Sequence, residues 1–137
     1  MHRHAGRRSR NRRTAGIILC AGFLGLGLGL GACASLAPPR SAEPAPGAVE
    51  ALNGMVKGAC NRPVASVLAG EGIPVGQFRA AIYSEQRTGP SARVSQYEMW
   101  LYPRDKVGVL IIKMDETCRP MQVYTREGGN VQAFKAG

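Results

Sequence analysis

Four short segments in the second half of the chain constrain its fold more than any other sequence feature. They are rich in Val, Ile, Tyr, Trp and Met, and they cover residues 79–87, 93–102, 107–114 and 121–126. This composition is typical of β-strands separated by turn-forming links. Links this short cannot hold a crossover helix, so consecutive strands have to run antiparallel. The sequence therefore predicts an antiparallel meander of three to four strands.

Alternation within the second segment predicts which side chains share a face of the sheet. Met99 and Leu101 alternate with Trp100 and Tyr102, and successive residues of a strand point to opposite faces. We expect the first pair to face a core and the second pair to lie on the other face. Because Trp and Tyr are frequent in binding hot spots, Trp100 and Tyr102 are candidate partner-binding residues. Arg104 is a third candidate, because its charged turn could meet anionic lipid headgroups or acidic glycans. The alternatives are a core role for the only Trp and a simply solvated turn at Arg104.

Two short helices are predicted before the strands. Apolar residues recur at helical spacing between residues 48 and 60, and a second apolar face follows Pro63, a residue suited to a first helical turn. The stretch Ala69-Gly70-Glu71-Gly72 ends this second helix. The predicted class is therefore α+β, with two short helices packed on the antiparallel sheet in two layers. This domain is expected to cover residues 48–129, with 130–137 as a flexible tail.

The first 32 residues have the order of a signal peptide, with six arginines, an apolar run from Ile17, and small residues up to Cys33. Leu30-Gly31-Ala32-Cys33 resembles the lipobox of bacterial lipoproteins. The resemblance implies cleavage before Cys33 and lipidation of its thiol. Because Ala34 follows, it also implies transfer to the periplasmic face of the outer membrane. Two alternatives stay open, namely a soluble periplasmic protein that begins at Ser35 and an uncleaved membrane helix.

The positive charge of the chain is concentrated in this leader. The formal net charge is +9, from 18 basic and 9 acidic residues, and removing the six leader arginines lowers it to +3. The only histidines, His2 and His4, also lie there. The remainder thus lacks a basic tract for nucleic acid and an imidazole for catalysis or zinc binding. We expect no cofactor and no metal, since Asp115-Glu116 lacks the further oxygen ligands of a calcium site.

Residues 33–47 are expected to form a tether that consists of the acylated Cys and a stretch rich in Pro and Ala. The fourteen residues 34–47, in extended polyproline geometry, would reach on the order of 40 Å. The chain beyond the tether has two cysteines, Cys60 and Cys118. An oxidising compartment favours a disulfide between them, and a reactive or metal-bound pair is the alternative.

The lipobox, the order of helices followed by strands, and the strand Met99-Trp100-Leu101-Tyr102 together resemble small outer-membrane lipoproteins of the SmpA/OmlA type. Those proteins belong to the β-barrel assembly machine. The resemblance covers about residues 64–126 and implies a scaffold role in the cell envelope with no reaction to catalyse. We therefore expect a non-catalytic lipoprotein that binds an envelope protein. The alternative is an inhibitor or a small-ligand-binding periplasmic module.

Overall fold

A computed structural model describes residues 37–135 of the chain. The predicted signal peptide and the lipidation residue Cys33 lie outside the described residues. The elements, in chain order, are α1 (Ala48–Met55), α2 (Asn61–Glu71), a 3₁₀ turn (Val75–Gln77), β1 (Phe78–Thr88), β2 (Arg93–Pro103), β3 (Val109–Asp115), β4 (Pro120–Arg126) and α3 (Val131–Lys135).

The ends of α2 follow from its sequence. Pro63 lies in the first turn, as predicted, where its missing N–H leaves no intrahelical hydrogen bond unmade. Gly72 ends the helix in the left-handed conformation, with φ of 69°, which a residue without a Cβ adopts at little cost. The N–H of Ile73 then donates to the carbonyl of Leu68 at 2.8 Å and closes the last turn. Helix α1 is shorter than the predicted 48–60, because the backbone becomes extended at Val56.

The four strands form one sheet in the order β1-β2-β3-β4, with every neighbouring pair antiparallel. The predicted meander is confirmed. Met99 and Leu101 of β2 are fully buried, so the predicted core face is also confirmed.

One hydrophobic core joins this face of the sheet to all three helices. Its largest fully buried side chains are Leu52, Leu68, Phe78, Met99, Leu101, Leu110, Ile112, Met114 and Phe134. By backbone proximity α1 lies nearest to β1, whereas α2 and α3 lie nearest to β4. The α+β class is confirmed, with the helices closest to the two edge strands of the sheet.

The C-terminal segment is not a flexible tail over Val131–Lys135, because these residues form α3. Phe134 is fully buried and stacks on Phe78, with ring centroids 5.9 Å apart. The Gln77 side-chain amide donates to the Phe134 carbonyl at 3.0 Å. The tail prediction was wrong here because a five-residue helix is too short to show a hydrophobic period.

The second half of the expected tether is also part of the domain. We call residues 37–47 the N-terminal arm. Its Ala42 N–H donates to the Ser66 carbonyl at 2.9 Å, and its Arg40 N–H donates to the Glu71 carboxylate at 2.9 Å. The arm approaches α2 so closely at Gly70 that a Cβ there would lie 2.5 Å from the Arg40 carbonyl carbon. The expectation of a free tether is therefore wrong from Arg40 onward.

Cys60 and Cys118 form a disulfide, with their Cα atoms 5.2 Å apart. The bond joins the start of α2 to the link between β3 and β4. This confirms the predicted pairing and fixes one end of α2 to the sheet.

Candidate binding surface

The sheet face opposite the core carries a row of apolar and aromatic side chains that crosses all four strands. Register places Ile82, Trp100, Ile111 and Tyr124 side by side, one from each strand. We call this side of the sheet the open face. Ile111 is fully buried between its larger neighbours, whereas the Ile82 side chain is 53% exposed. Trp100 and Tyr124 are partly exposed.

A buried carboxylate fixes the two aromatic side chains of this row. Glu98, 6% exposed, accepts a hydrogen bond from the Trp100 indole N–H at 3.1 Å and another from the Tyr124 hydroxyl at 2.9 Å. Burial raises the pKa of Tyr124, and the hydrogen bond to the Glu98 carboxylate raises it further. The phenol therefore stays protonated and remains a donor to Glu98. Each oxygen of Glu98 holds one ring in place.

A guanidinium group lies over both rings. Arg126 of β4 is exposed, and its Cζ atom is 5.0 Å from the Trp100 ring centroid and 5.7 Å from the Tyr124 ring centroid. These distances are within the range of a cation–π contact. We call Glu98, Trp100, Tyr124 and Arg126 the aromatic cluster.

The structure brings together only part of the predicted site. Trp100 and Tyr102 share the open face, as the alternation predicted, and both are partly exposed. Trp100 lies outside the core between sheet and helices. Arg104 lies beyond the end of β2, where its backbone N–H donates to the Gln77 carbonyl at 2.9 Å and its Nε donates to the Gly76 carbonyl at 3.4 Å. The cation over the Trp100 ring is therefore Arg126, a residue that no pattern in the sequence indicated.

The acidic turn at Asp115 is closed by its own hydrogen bonds. The Asp115 carboxylate accepts from the Thr117 hydroxyl at 2.7 Å, from the Thr117 and Arg119 backbone N–H groups at 2.9 Å, and from the Arg119 guanidinium at 2.9 Å. These bonds, with the Thr117 hydroxyl foremost, lower the pKa of Asp115 to about 2. Within residues 37–135, no group of three or more His, Cys, Asp or Glu side chains is arranged to hold a metal ion.

A groove of about 550 Å³ adjoins the aromatic cluster. One wall is the edge strand β4 at Gln122–Arg126, and the opposite wall is the N-terminal arm at Ala37–Arg40, with Glu71 and Val131 also lining the groove. Tyr124 and Arg126 belong to both the groove and the cluster. The two features therefore form one continuous surface.

Within the described part of the chain, no helix has the length and apolar character needed to cross a membrane. No family model, curated protein or solved structure matches the chain. The SmpA/OmlA resemblance and the lipobox accordingly stay predictions from the sequence.

Proposed function

We propose that this chain is a non-catalytic lipoprotein of the cell envelope that is anchored through Cys33 at the periplasmic face of the outer membrane. Its domain binds another envelope protein through the open face of the sheet. The observation that carries the binding role is the aromatic cluster, in which Trp100, Tyr124 and Arg126 are grouped on a face outside the core. Trp, Tyr and Arg are the residue types most enriched at the energetic centres of protein interfaces.

The arrangement of the cluster suits binding because its rings are held in position before a partner arrives. Glu98 accepts one hydrogen bond from each ring, and Arg126 lies over both. Side chains that are already ordered lose less conformational entropy on association, so more of the contact energy becomes affinity. A sheet face that is only exposed to solvent would not need a buried carboxylate to orient its aromatic rings.

The use of the carboxylates supports a role without catalysis. Glu71, Glu98 and Asp115, the three least exposed carboxylates with described partners, all accept hydrogen bonds from neighbouring groups. Residues 33–137 contain no histidine. A general acid or base needs a titratable group within reach of a substrate proton, and these carboxylates are engaged in structural contacts.

The anchoring is tested by mass spectrometry of the mature N-terminus together with labelled palmitate. We expect an acylated Cys33 and accumulation of the precursor when the lipoprotein signal peptidase is inhibited by globomycin. An unmodified N-terminus at Ser35 would contradict the anchor.

The binding role is tested separately by crosslinking in cells that produce the full chain or the variant Trp100→Ala. Val107→Ala is the matched control, because Val107 is 74% exposed and lies in the link between β2 and β3. We expect the crosslinked product to fall about tenfold with Trp100→Ala, since hot-spot truncations cost more than 1 kcal/mol. The Val107→Ala chain should behave as the wild type. Equal crosslinking by both variants, with unchanged melting temperatures, contradicts the proposed face, and a soluble hydrolase as the Trp100-dependent partner favours the inhibitor alternative.

A further inference from the structure

The wall of the groove formed by β4 has a free edge. Within residues 37–135, β3 is the only strand paired with β4. In an antiparallel sheet, alternate residues of an edge strand direct their backbone N–H and C=O groups away from the neighbouring strand. Such an edge can accept an additional strand, and the groove lies beside it at Gln122–Arg126.

The opposite wall does not supply that additional strand. Pro38 and Pro39 have no backbone N–H, and the Arg40 N–H already donates to the Glu71 carboxylate at 2.9 Å. The N-terminal arm therefore has no donor at these three positions to offer to β4. This explains why arm and strand leave a groove between them and do not form a fifth strand.

The charge of the groove favours an acidic occupant. Arg40 and Arg126 both line it. The only carboxylate among the described lining residues, Glu71, is held by the Lys135 ammonium at 2.5 Å and by the Arg40 N–H at 2.9 Å. Because this carboxylate is compensated locally, the two guanidinium groups leave the groove positive.

From these observations we infer that the groove binds an extended, acidic segment of a partner protein, which adds to the free edge of β4 as a further strand. The backbone of the segment pairs with β4 between Gln122 and Thr125, because the Arg126 carbonyl already accepts a hydrogen bond from the Gly129 N–H at 3.1 Å. The carboxylates of the segment meet Arg40 and Arg126. Pairing of this kind needs an occupant with its own backbone donors and acceptors, which excludes the prolines of the arm. The inference rests on the proposed function and deepens it, because the groove is continuous with the aromatic cluster. It names the part of the partner that extends beyond the aromatic cluster.

The test uses the purified full chain in mild detergent and a short blocked peptide that alternates glutamate and valine. A second peptide carries lysine at every glutamate position. We expect the acidic peptide to bind, as followed by fluorescence anisotropy, and to shift the backbone amide resonances of Arg40 and Gln122–Arg126. Arg40→Gln should weaken this binding about fivefold, as loss of one exposed ion pair predicts. Arg93→Gln is the matched control, because Arg93 is exposed at the start of β2 and does not line the groove.

Several results overturn the inference. They are absence of binding at millimolar peptide, equal binding of the lysine peptide, and resonance shifts confined to other strands. If vesicles of anionic phosphatidylglycerol shift the same resonances and the acidic peptide does not, the groove faces lipid and the inference is wrong. Peptide binding does not require acylation, so an unmodified N-terminus would remove the anchor and leave the groove site intact. Conversely, if Arg40→Gln leaves peptide binding unchanged, the proposed groove site is wrong and the proposed anchor is unaffected.

Discussion

Removal of the Cys60–Cys118 disulfide should lower the free energy of unfolding by about 4 kcal/mol. The bond joins cysteines 58 residues apart, and the chain-entropy model assigns about this value to a loop of that length in the unfolded chain. The variant of choice is Cys60→Ala with Cys118→Ala, because position 60 is 1% exposed and a serine hydroxyl there would be buried. Urea unfolding followed by Trp100 fluorescence measures the difference. A loss of this size is a large fraction of the stability of a small domain, typically about 5–15 kcal/mol.

Position 118 provides an internal control on that magnitude. Cys118 has a φ of 64°, in the left-handed region that disfavours residues with a Cβ. Cys60→Ala with Cys118→Gly should therefore be more stable than the double alanine variant by about 0.5–1 kcal/mol, after the entropy that glycine adds to the unfolded chain. Reduction of the wild-type bond should reproduce most of the loss without a change of side chain. If reduction releases both thiols and stability falls by less than about 1 kcal/mol, the loop-closure reasoning is refuted.

Three further perturbations test particular contacts. Asn61 is 2% exposed; its side-chain oxygen accepts a hydrogen bond from the Tyr83 hydroxyl at 2.8 Å, and its amide donates to the Asn53 side chain and the Val56 carbonyl. Asn61→Ala should therefore lower the free energy of unfolding by about 2 kcal/mol, as measured by thermal melts, and an unchanged melting temperature would contradict this. The pKa of Asp115 is lowered to about 2 from 3.8, so the carboxylate contributes its full stabilisation above the pKa of the unfolded chain. This stabilisation is lost as pH falls through the pKa of the folded protein. In Asp115→Asn, the urea unfolding midpoint should therefore change less between pH 2 and pH 5 than in the wild type. Gly70→Ala places a Cβ 2.5 Å from the Arg40 carbonyl carbon; it should speed hydrogen exchange at the Arg40 amide while the rest of the domain keeps its protection.

Much of the fold follows from sequence because the strands are long and their links are short. The bounds of β2 and β4 differ from the predicted segments by a residue at one end. Helix α1 was predicted too long because its apolar spacing continues to Ala59, whereas the Val56 carbonyl accepts a hydrogen bond from the Asn61 side chain at 2.8 Å outside the helix. Sequence spacing reports which residues could share a helix face, but it does not report a competing side-chain donor.

The aromatic cluster was only half predictable for a related reason. Alternation within β2 places Glu98, Trp100 and Tyr102 on one face, and that much is visible in the sequence. Bringing Tyr124 and Arg126 beside Trp100 requires the register of β3 and β4, which includes an irregularity between Lys113 and Met114. A shift of one residue would move Tyr124 to the core face. Arg104 is the cation nearest to Trp100 in sequence, whereas the cation over the Trp100 ring is Arg126.

The docked arm changes what the proposed anchor would do. With Arg40 bound to Glu71, six residues separate Cys33 from the first attached position of the domain. Even fully extended, that stretch spans about 25 Å at most, whereas a free tether would reach on the order of 40 Å. Because Arg40 lines the groove, an acylated Cys33 would keep this wall of the groove within that distance of the membrane. The partner that suits such an anchor is an envelope protein that presents an acidic segment close to the outer membrane.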